Sequence, residues 1–222
     1  MEAVKTKKGY KGVGMEGPIA SWYAKITLKD LNRHQLMARQ LAQKIPPNGK
    51  VLEIAPGPGY FCIELARLGA YQITGLDISK SFVEIARRNA AAAGTQIEFR
   101  HGNASAMPFE DGIFDFTFCQ AAFKNFTEPV KAIAEMYRVL RPGGTAVIVD
   151  LRRDASAPEI EHEIKGMGLR GLDEVMTRGA FKLMLLKSAY SVAEMETMIA
   201  QTSFGRAKID RSDIGFQVWM VK

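Results

Sequence analysis

The stretch Val51-Leu52-Glu53-Ile54-Ala55-Pro56-Gly57-Pro58-Gly59-Tyr60-Phe61 decides the fold. An apolar strand carries an acid near its end, enters a Gly-Pro-Gly turn and gives way to a helix. Such a turn offers backbone N–H groups and a helix N-terminus to an elongated polar ligand. Pro58 stiffens the turn by fixing one dihedral and removes one donor from it. The next apolar run, Tyr71-Gln72-Ile73-Thr74-Gly75-Leu76, ends in Asp77. An acid about 20 residues beyond the glycines can accept hydrogen bonds from both hydroxyls of a ribose. A nucleoside-containing cofactor is therefore expected.

The glycine spacing separates the candidate cofactors. A dinucleotide site wants Gly-x-Gly-x-x-Gly, and here the third position is Cys62. An acid instead stands four residues before the first glycine, as Glu53-x-x-x-Gly57-x-Gly59. With Asp77, with Arg100–Phe109, with Phe114–Cys119 and with Leu140-Arg141-Pro142-Gly143-Gly144, this resembles the class I, seven-strand S-adenosylmethionine-dependent methyltransferases, in particular their small-molecule, type 11-like members. The resemblance runs from about residue 50 to the end and implies S-adenosylmethionine as cofactor. It also implies a three-layer α/β/α sandwich whose mostly parallel seven-stranded sheet ends in an antiparallel hairpin.

The residues around the motif support that class. Strand and helical patterns alternate from residue 51 to residue 149, which predicts a parallel sheet with helices on both faces. Strands are expected at Val51–Ala55, Gln72–Leu76, Gln96–Arg100, Phe114–Cys119 and Thr145–Val149. Helices are expected at Asp30–Lys44, Tyr60–Leu68, Ser81–Ala93 and Pro129–Leu140. Ser81 with Glu84 is a candidate capping box, with Ser79 as a rival cap, and Ser191 with Glu194 is a second. Ala207–Asp210 and Phe216–Val221 are too close for a crossover and are predicted to pair antiparallel. Residues 1–49 are read as an N-terminal extension with a helix, which the resemblance implies folds over the site as a lid, and residues 50–222 as the cofactor domain.

Charge sits unevenly along the chain. Residues 1–50 carry ten Lys/Arg and three acids, a balance of +7, whereas residues 51–222 carry twenty and twenty-one, a balance of −1. The cluster Lys5–Lys11 could contact nucleic acid or an acidic substrate, or be a solvated terminus. No apolar run is long enough to span a membrane, and the N-terminus is basic and polar rather than signal-like. Two cysteines, Cys62 and Cys119, fall on elements expected to be buried, with no disulfide framework and no metal-site spacing. A cytoplasmic protein is the simplest expectation.

Ligands of open α/β sheets lie beyond the C-terminal strand ends, which nominates the residues just after each strand. The cofactor candidates are Glu53, Ala55, Gly57, Gly59, Asp77, Ile78, Asn103, Ala104 and Gln120, with Tyr23 from the lid. The resemblance puts Glu53 near the methionine amino group, the alternative being that it orders the loop. Asp77 is read as the ribose ligand, or as a cap for the Ile78-Ser79 turn. Asn103 stands where the family often has an acid for the adenine amino group. It can accept that bond without charge, or merely shape a turn. Trp22, Phe123, Arg152 and Arg153 are the substrate candidates. The two arginines could hold a carboxylate or phosphate, or form a surface pair. Phe126 suits a sulfonium by cation–π attraction and suits core packing equally. His34, His101 and His162 are scattered and read as structural.

No catalytic residue declares itself, as expected for a reaction whose electrophile arrives activated. The resemblance implies methyl transfer to a small molecule, with the Met- and Leu-rich stretch Ala157–Lys187 shaping a partly apolar acceptor site. The alternatives are a nucleic-acid methyltransferase using the basic N-terminus, a non-catalytic scaffold of the same fold, and a NAD-binding protein. Gln120-Ala121-Ala122-Phe123 lacks the Asn/Asp-Pro-Pro-aromatic tetrapeptide of base-amino methyltransferases, which counts against the first.

Overall fold

A computed structural model describes residues 9–11, 14–166 and 186–222. Residues 5–8 of the basic cluster lie outside them. So do residues 167–185 of the stretch expected to shape the acceptor site, including Met167, Met176 and Met184.

Seven strands form one sheet in the order β3-β2-β1-β4-β5-β7-β6. They are β1 (Lys50–Ile54), β2 (Gln72–Asp77), β3 (Glu98–His101), β4 (Phe114–Gln120), β5 (Leu140–Leu151), β6 (Lys208–Arg211) and β7 (Gly215–Val221). The first five run parallel, while β7 pairs antiparallel with β5 and with β6, so the terminal hairpin closes a mixed sheet. The chain steps outward from β1 to β3, then returns to lay β4 on the other side of β1. That reversal opens a crevice at the C-terminal ends of β1 and β4.

Strand alternation explains the two layers of core. Neighbours Val51 and Leu52 are both fully buried, yet they belong to opposite clusters. Val51, Phe116 and Phe118 pack with α2 (Leu31–Ala42), α3 (Tyr60–Ala66) and α4 (Lys80–Ala92). Leu52, Ile54 and Ile148 pack with α5 (Pro129–Val139) and the C-terminal helix Val192–Ala200. Each such fully buried side chain contributes roughly 1.5–3 kcal/mol.

Three local features differ from the sequence pattern. An unpatterned segment, Gly17–Thr27, forms helix α1, with a proline in its first turn. Its core-facing side holds only the small residues Ala20 and Ala24, so it lacks the apolar stripe that periodicity detects. Strand β5 begins at Leu140, directly after α5, and the register against β4 shifts between Phe114 and Phe116 rather than waiting for Thr145. Ser79, not Ser81, caps α4: its Oγ accepts from Phe82 N at 3.0 Å. Ser81 Oγ instead accepts from Gly17 N at 2.9 Å. The Ser191–Glu194 capping box is present in full.

Ser79→Ala removes both the cap and the bond that Ser79 Oγ donates to Met15 O. It should cost about 1–2 kcal/mol of stability in urea unfolding, at unchanged m. Ser81→Ala should cost less than half as much; a larger loss there would return the cap to Ser81.

Candidate functional site

One cavity of about 670 Å³ opens where the strand order reverses. Its floor is made by residues that follow β1, β2, β3 and β4, and its roof by α1 and the segment Gly9–Lys11. Of the residues nominated from sequence, the structure brings Tyr23, Glu53, Ala55, Gly57, Asp77, Ile78, Asn103, Ala104 and Gln120 to this one wall.

The glycine turn is held by side chains rather than by its own backbone alone. Asp77 Oδ2 accepts from Gly57 N at 3.0 Å and Oδ1 from Ser79 N at 2.8 Å, so one carboxylate ties the β1–α3 turn to the β2–α4 turn. Gly57 has φ +54°, and a Cβ there would meet nothing within 4 Å, so its backbone faces open cavity. Gly59, the N-cap of α3, has φ +80° and does not itself line the cavity; a Cβ would come within 2.9 Å of Phe99 and 3.0 Å of Ala86. Only glycine satisfies both demands. Ala55 and Ala121, at the ends of β1 and β4, also hold positive φ of 56° and both line the cavity. Non-glycine residues in that region store strain, and such strain clusters at functional sites.

Three carboxyl groups are buried in this region. Burial pushes the Glu53 carboxyl up to about 8, opposed by the hydrogen bond that Cys62 Sγ–H donates to its Oε2 at 2.8 Å. Asp77 is raised to about 6 by burial, opposed by its bonds from Ser79 and Gly57. Asp150 is paired with Lys124, whose Nζ lies 2.9 Å from Oδ1 and also donates to Ala121 O at 2.7 Å. Gln120 Oε1 is buried in the cavity wall with no hydrogen-bond partner among the described residues. Burial raises the Tyr10 and Tyr23 phenols, which keeps both protonated and able to donate.

The roof is bolted down. Glu16 accepts from the Lys80 and Ser81 N–H groups, both at 3.0 Å, at the start of α4. Tyr60 OH donates to Ala24 O at 2.8 Å, and Tyr23 packs edge-on to Phe82. Gly9–Lys11 runs beside the loop after β4, with Lys11 N donating to Asn125 O at 2.7 Å.

Other nominated residues stand elsewhere. Trp22 lies on the outer side of α1, 62% exposed, and does not line the cavity. Phe123 is fully buried in the core against Phe126 and Tyr190, with Phe126 at the cavity instead. Arg152 has no free donor face for an anion. Its guanidinium meets Glu159, Asp154, and the carbonyls of Ser212 at 3.1 Å and Asp213 at 3.0 Å. Arg153 pairs with Glu194 on the surface. The reason is topological: β5 lies beyond the switch point, and its end meets the β6–β7 turn, with Arg152 N donating to Ile214 O. Asn103 turns its Oδ1 to Ser105 N at 2.9 Å, the turn-shaping geometry, while still lining the cavity.

Sequence reasoning missed Tyr10, Asp30, Arg33, His34, Tyr60, Ser79 and Lys124 at the cavity. His34, read as structural, has a buried Nδ1 with no hydrogen-bond partner among the described residues and a pKa lowered mainly by burial. Tyr60, Ser79 and Lys124 follow β1, β2 and β4, whereas Tyr10, Asp30, Arg33 and His34 reach the cavity from the N-terminal segment, where no local motif marks them.

Comparison with known proteins now bears on this site. Residues 52–148 match the family model described as a methyltransferase domain. Over that stretch the chain is similar to methyltransferase domains. It is 38% identical over 108 residues to a demethylmenaquinone methyltransferase of Deinococcus radiodurans, covering 48% of this chain and 45% of that protein. A protein of the same name from Clavibacter sepedonicus is 31% identical over 153 residues, covering 68% and 62%. The chain thus spans about half the length of the first curated relatives it matches. A Methanococcus maripaludis structure, itself proposed to be an S-adenosylmethionine-dependent methyltransferase, superposes with TM-score 0.75 at 21% identity over 100% of this chain and 97% of that one. An S-adenosylmethionine-dependent methyltransferase of Aquifex aeolicus does so with 0.62 at 17%, covering 82% and 88%. At these identities the likeness concerns the fold. The matched stretch includes Glu53 and the glycine turn that Asp77 holds.

Glu53 yields a prediction independent of any ligand. Its proton is held more tightly folded, at about 8, than unfolded, near 4.5. Its contribution to stability is therefore complete below about pH 4.5 and is lost as pH rises toward about 8. Asp77 acts in the same direction over a lower range, from 3.8 to about 6. Urea unfolding of the free protein between about pH 5 and pH 8 should show falling stability, with a shallower fall in Glu53→Gln. An equal or steeper fall in the variant would contradict a buried neutral carboxyl.

Proposed function

We propose that this chain transfers a methyl group from S-adenosylmethionine to a small, apolar acceptor. The observation that carries the reading is the cavity at the switch point, walled by Glu53, Asp77 and a Gln120 Oε1 that has no hydrogen-bond partner among the described residues. These residues fit the cofactor chemically. Glu53, Asp77 and Gln120 Oε1 offer buried acceptors together, which suits a ligand bearing an ammonium. Gly57 leaves open space where its backbone meets the cavity. Glu53 and Gln120 would hold the methionine end, Asp77 the ribose, and Asn103, Ala104 and Ile78 the base.

When bound, S-adenosylmethionine supplies an activated methyl group whose departure leaves a neutral thioether. The chain's own work is then to orient the acceptor in line and to exclude water, which can lower a barrier by up to roughly 7–11 kcal/mol. Tyr23, Thr27 and His34 of the N-terminal elements and Tyr60 of α3 line the cavity. His34, held neutral by burial, can exchange a hydrogen bond with the acceptor rather than carry a charge. The names of the relatives favour a flat quinone-type ring as the acceptor. The two buried free thiols suit a reducing compartment, and we place the protein in the cytoplasm. Nucleic acid is the weaker reading, because Lys11 of the basic N-terminus turns its amine to Tyr190 OH at 2.7 Å.

The test is a turnover assay for S-adenosylhomocysteine with two acceptor sets, reduced naphthoquinones lacking a ring methyl and unmodified transfer RNA. Acceptor-dependent product with the rings alone is expected. Product with RNA, or with no ring tried, would overturn the apolar-acceptor reading.

A further inference from the structure

Helix α1 has two working sides. Tyr23 and Thr27, one turn apart, line the cavity, and Ala20 and Ala24 pack beneath against Phe82 and Ile85 of α4. The outward side carries Ile19, Trp22 and Ile26, which share one face at spacings of three and four. Ile19 and Ile26 are each 42% exposed, and Leu28 follows in the 3-10 turn at 51%. Single exposed apolar residues are ordinary, but four on one short stretch make a patch.

Lysines outnumber acids beside the patch. Lys25 and Lys29 are exposed, and among the described residues neither has an ion-pair partner. The nearby acids are committed elsewhere: Glu16 caps α4 and Asp30 lines the cavity. An indole and aliphatic side chains rimmed by lysines match the interface of an anionic bilayer, where the ring sits at headgroup level and each cation meets lipid phosphate. No helix of the described residues is long and apolar enough to cross a membrane, so the contact would be superficial.

We propose that the outer face of α1 docks on an anionic lipid surface and holds the cavity beside the bilayer. Its purpose, delivery of an apolar acceptor from the membrane past Tyr23 and Thr27, rests on the apolar-acceptor reading. The docking itself does not. A second copy of this chain is the competing occupant of the patch.

The test is co-flotation of the full chain with phosphatidylcholine vesicles, with and without phosphatidylglycerol, read together with Trp22 fluorescence. S-adenosylmethionine titration and sedimentation velocity run in parallel. Binding only to the anionic vesicles is expected, with a blue shift that Trp22→Phe removes. Ile19→Ser/Ile26→Ser and Lys25→Glu/Lys29→Glu should each weaken it by at least about tenfold while cofactor affinity is kept. Vesicle binding that both double variants retain would overturn the proposal, as would its absence. Concentration-dependent dimers abolished by Ile19→Ser/Ile26→Ser, without vesicle binding, would assign the patch to a second copy. Cofactor binding without docking leaves the methyltransferase reading intact. Docking by folded protein that ignores the cofactor overturns only that reading.

Discussion

The carboxylate of Asp77 is the constraint on which the rest of the site depends. It is buried, and it accepts from Gly57 N on one oxygen and Ser79 N on the other. Those two donors belong to the turns that follow neighbouring strands β1 and β2. A single residue thereby fixes the spacing between the glycine turn and the start of α4. Ser79, placed by that bond, caps α4 and donates to Met15 O, which seats the entry to α1. Floor, wall and roof of the cavity are linked through three consecutive hydrogen-bonded groups.

Such a carboxylate is costly to keep dry, and the cavity holds more than one. Glu53 and Asp150 are buried near it, against a single buried ammonium from Lys124. A buried acid without a cation shifts toward its neutral form, as Glu53 and Asp77 both do. A positively charged ligand would reverse that shift and be held by it. Cys62 belongs to the same account. It stands where a dinucleotide fold would put its third glycine, and its thiol spends its one donor on Glu53. The residue that excludes the dinucleotide motif also supports the acid that replaces it.

Much of this was legible because it is encoded locally. The Gly-Pro-Gly turn, the acid closing β2 and the short terminal hairpin each reflect a steric or hydrogen-bonding demand within a few residues. The double role of Asp77 was half visible: ribose ligand and turn cap stood as alternatives, and its geometry serves the turn while facing the cavity. Arg152 shows where such reading stops. Two arginines after a strand look the same in sequence whether the strand ends in the crevice or beside a hairpin, and only the strand order distinguishes the cases. Helix α1 escaped notice because two alanines suffice to bury it. His34 reached the cavity by the packing of α2 on α3, beside Tyr60, a long-range fact with no local sign.

The central claim is that the cavity is built for a cationic nucleoside ligand rather than a dianionic dinucleotide. Calorimetric titration of the purified chain with S-adenosylmethionine and, separately, with NAD tests it most directly. The account predicts saturable binding of S-adenosylmethionine at micromolar concentration and none of NAD over the same range. Equal or tighter binding of NAD, or no heat from S-adenosylmethionine with demonstrably folded protein, would contradict it.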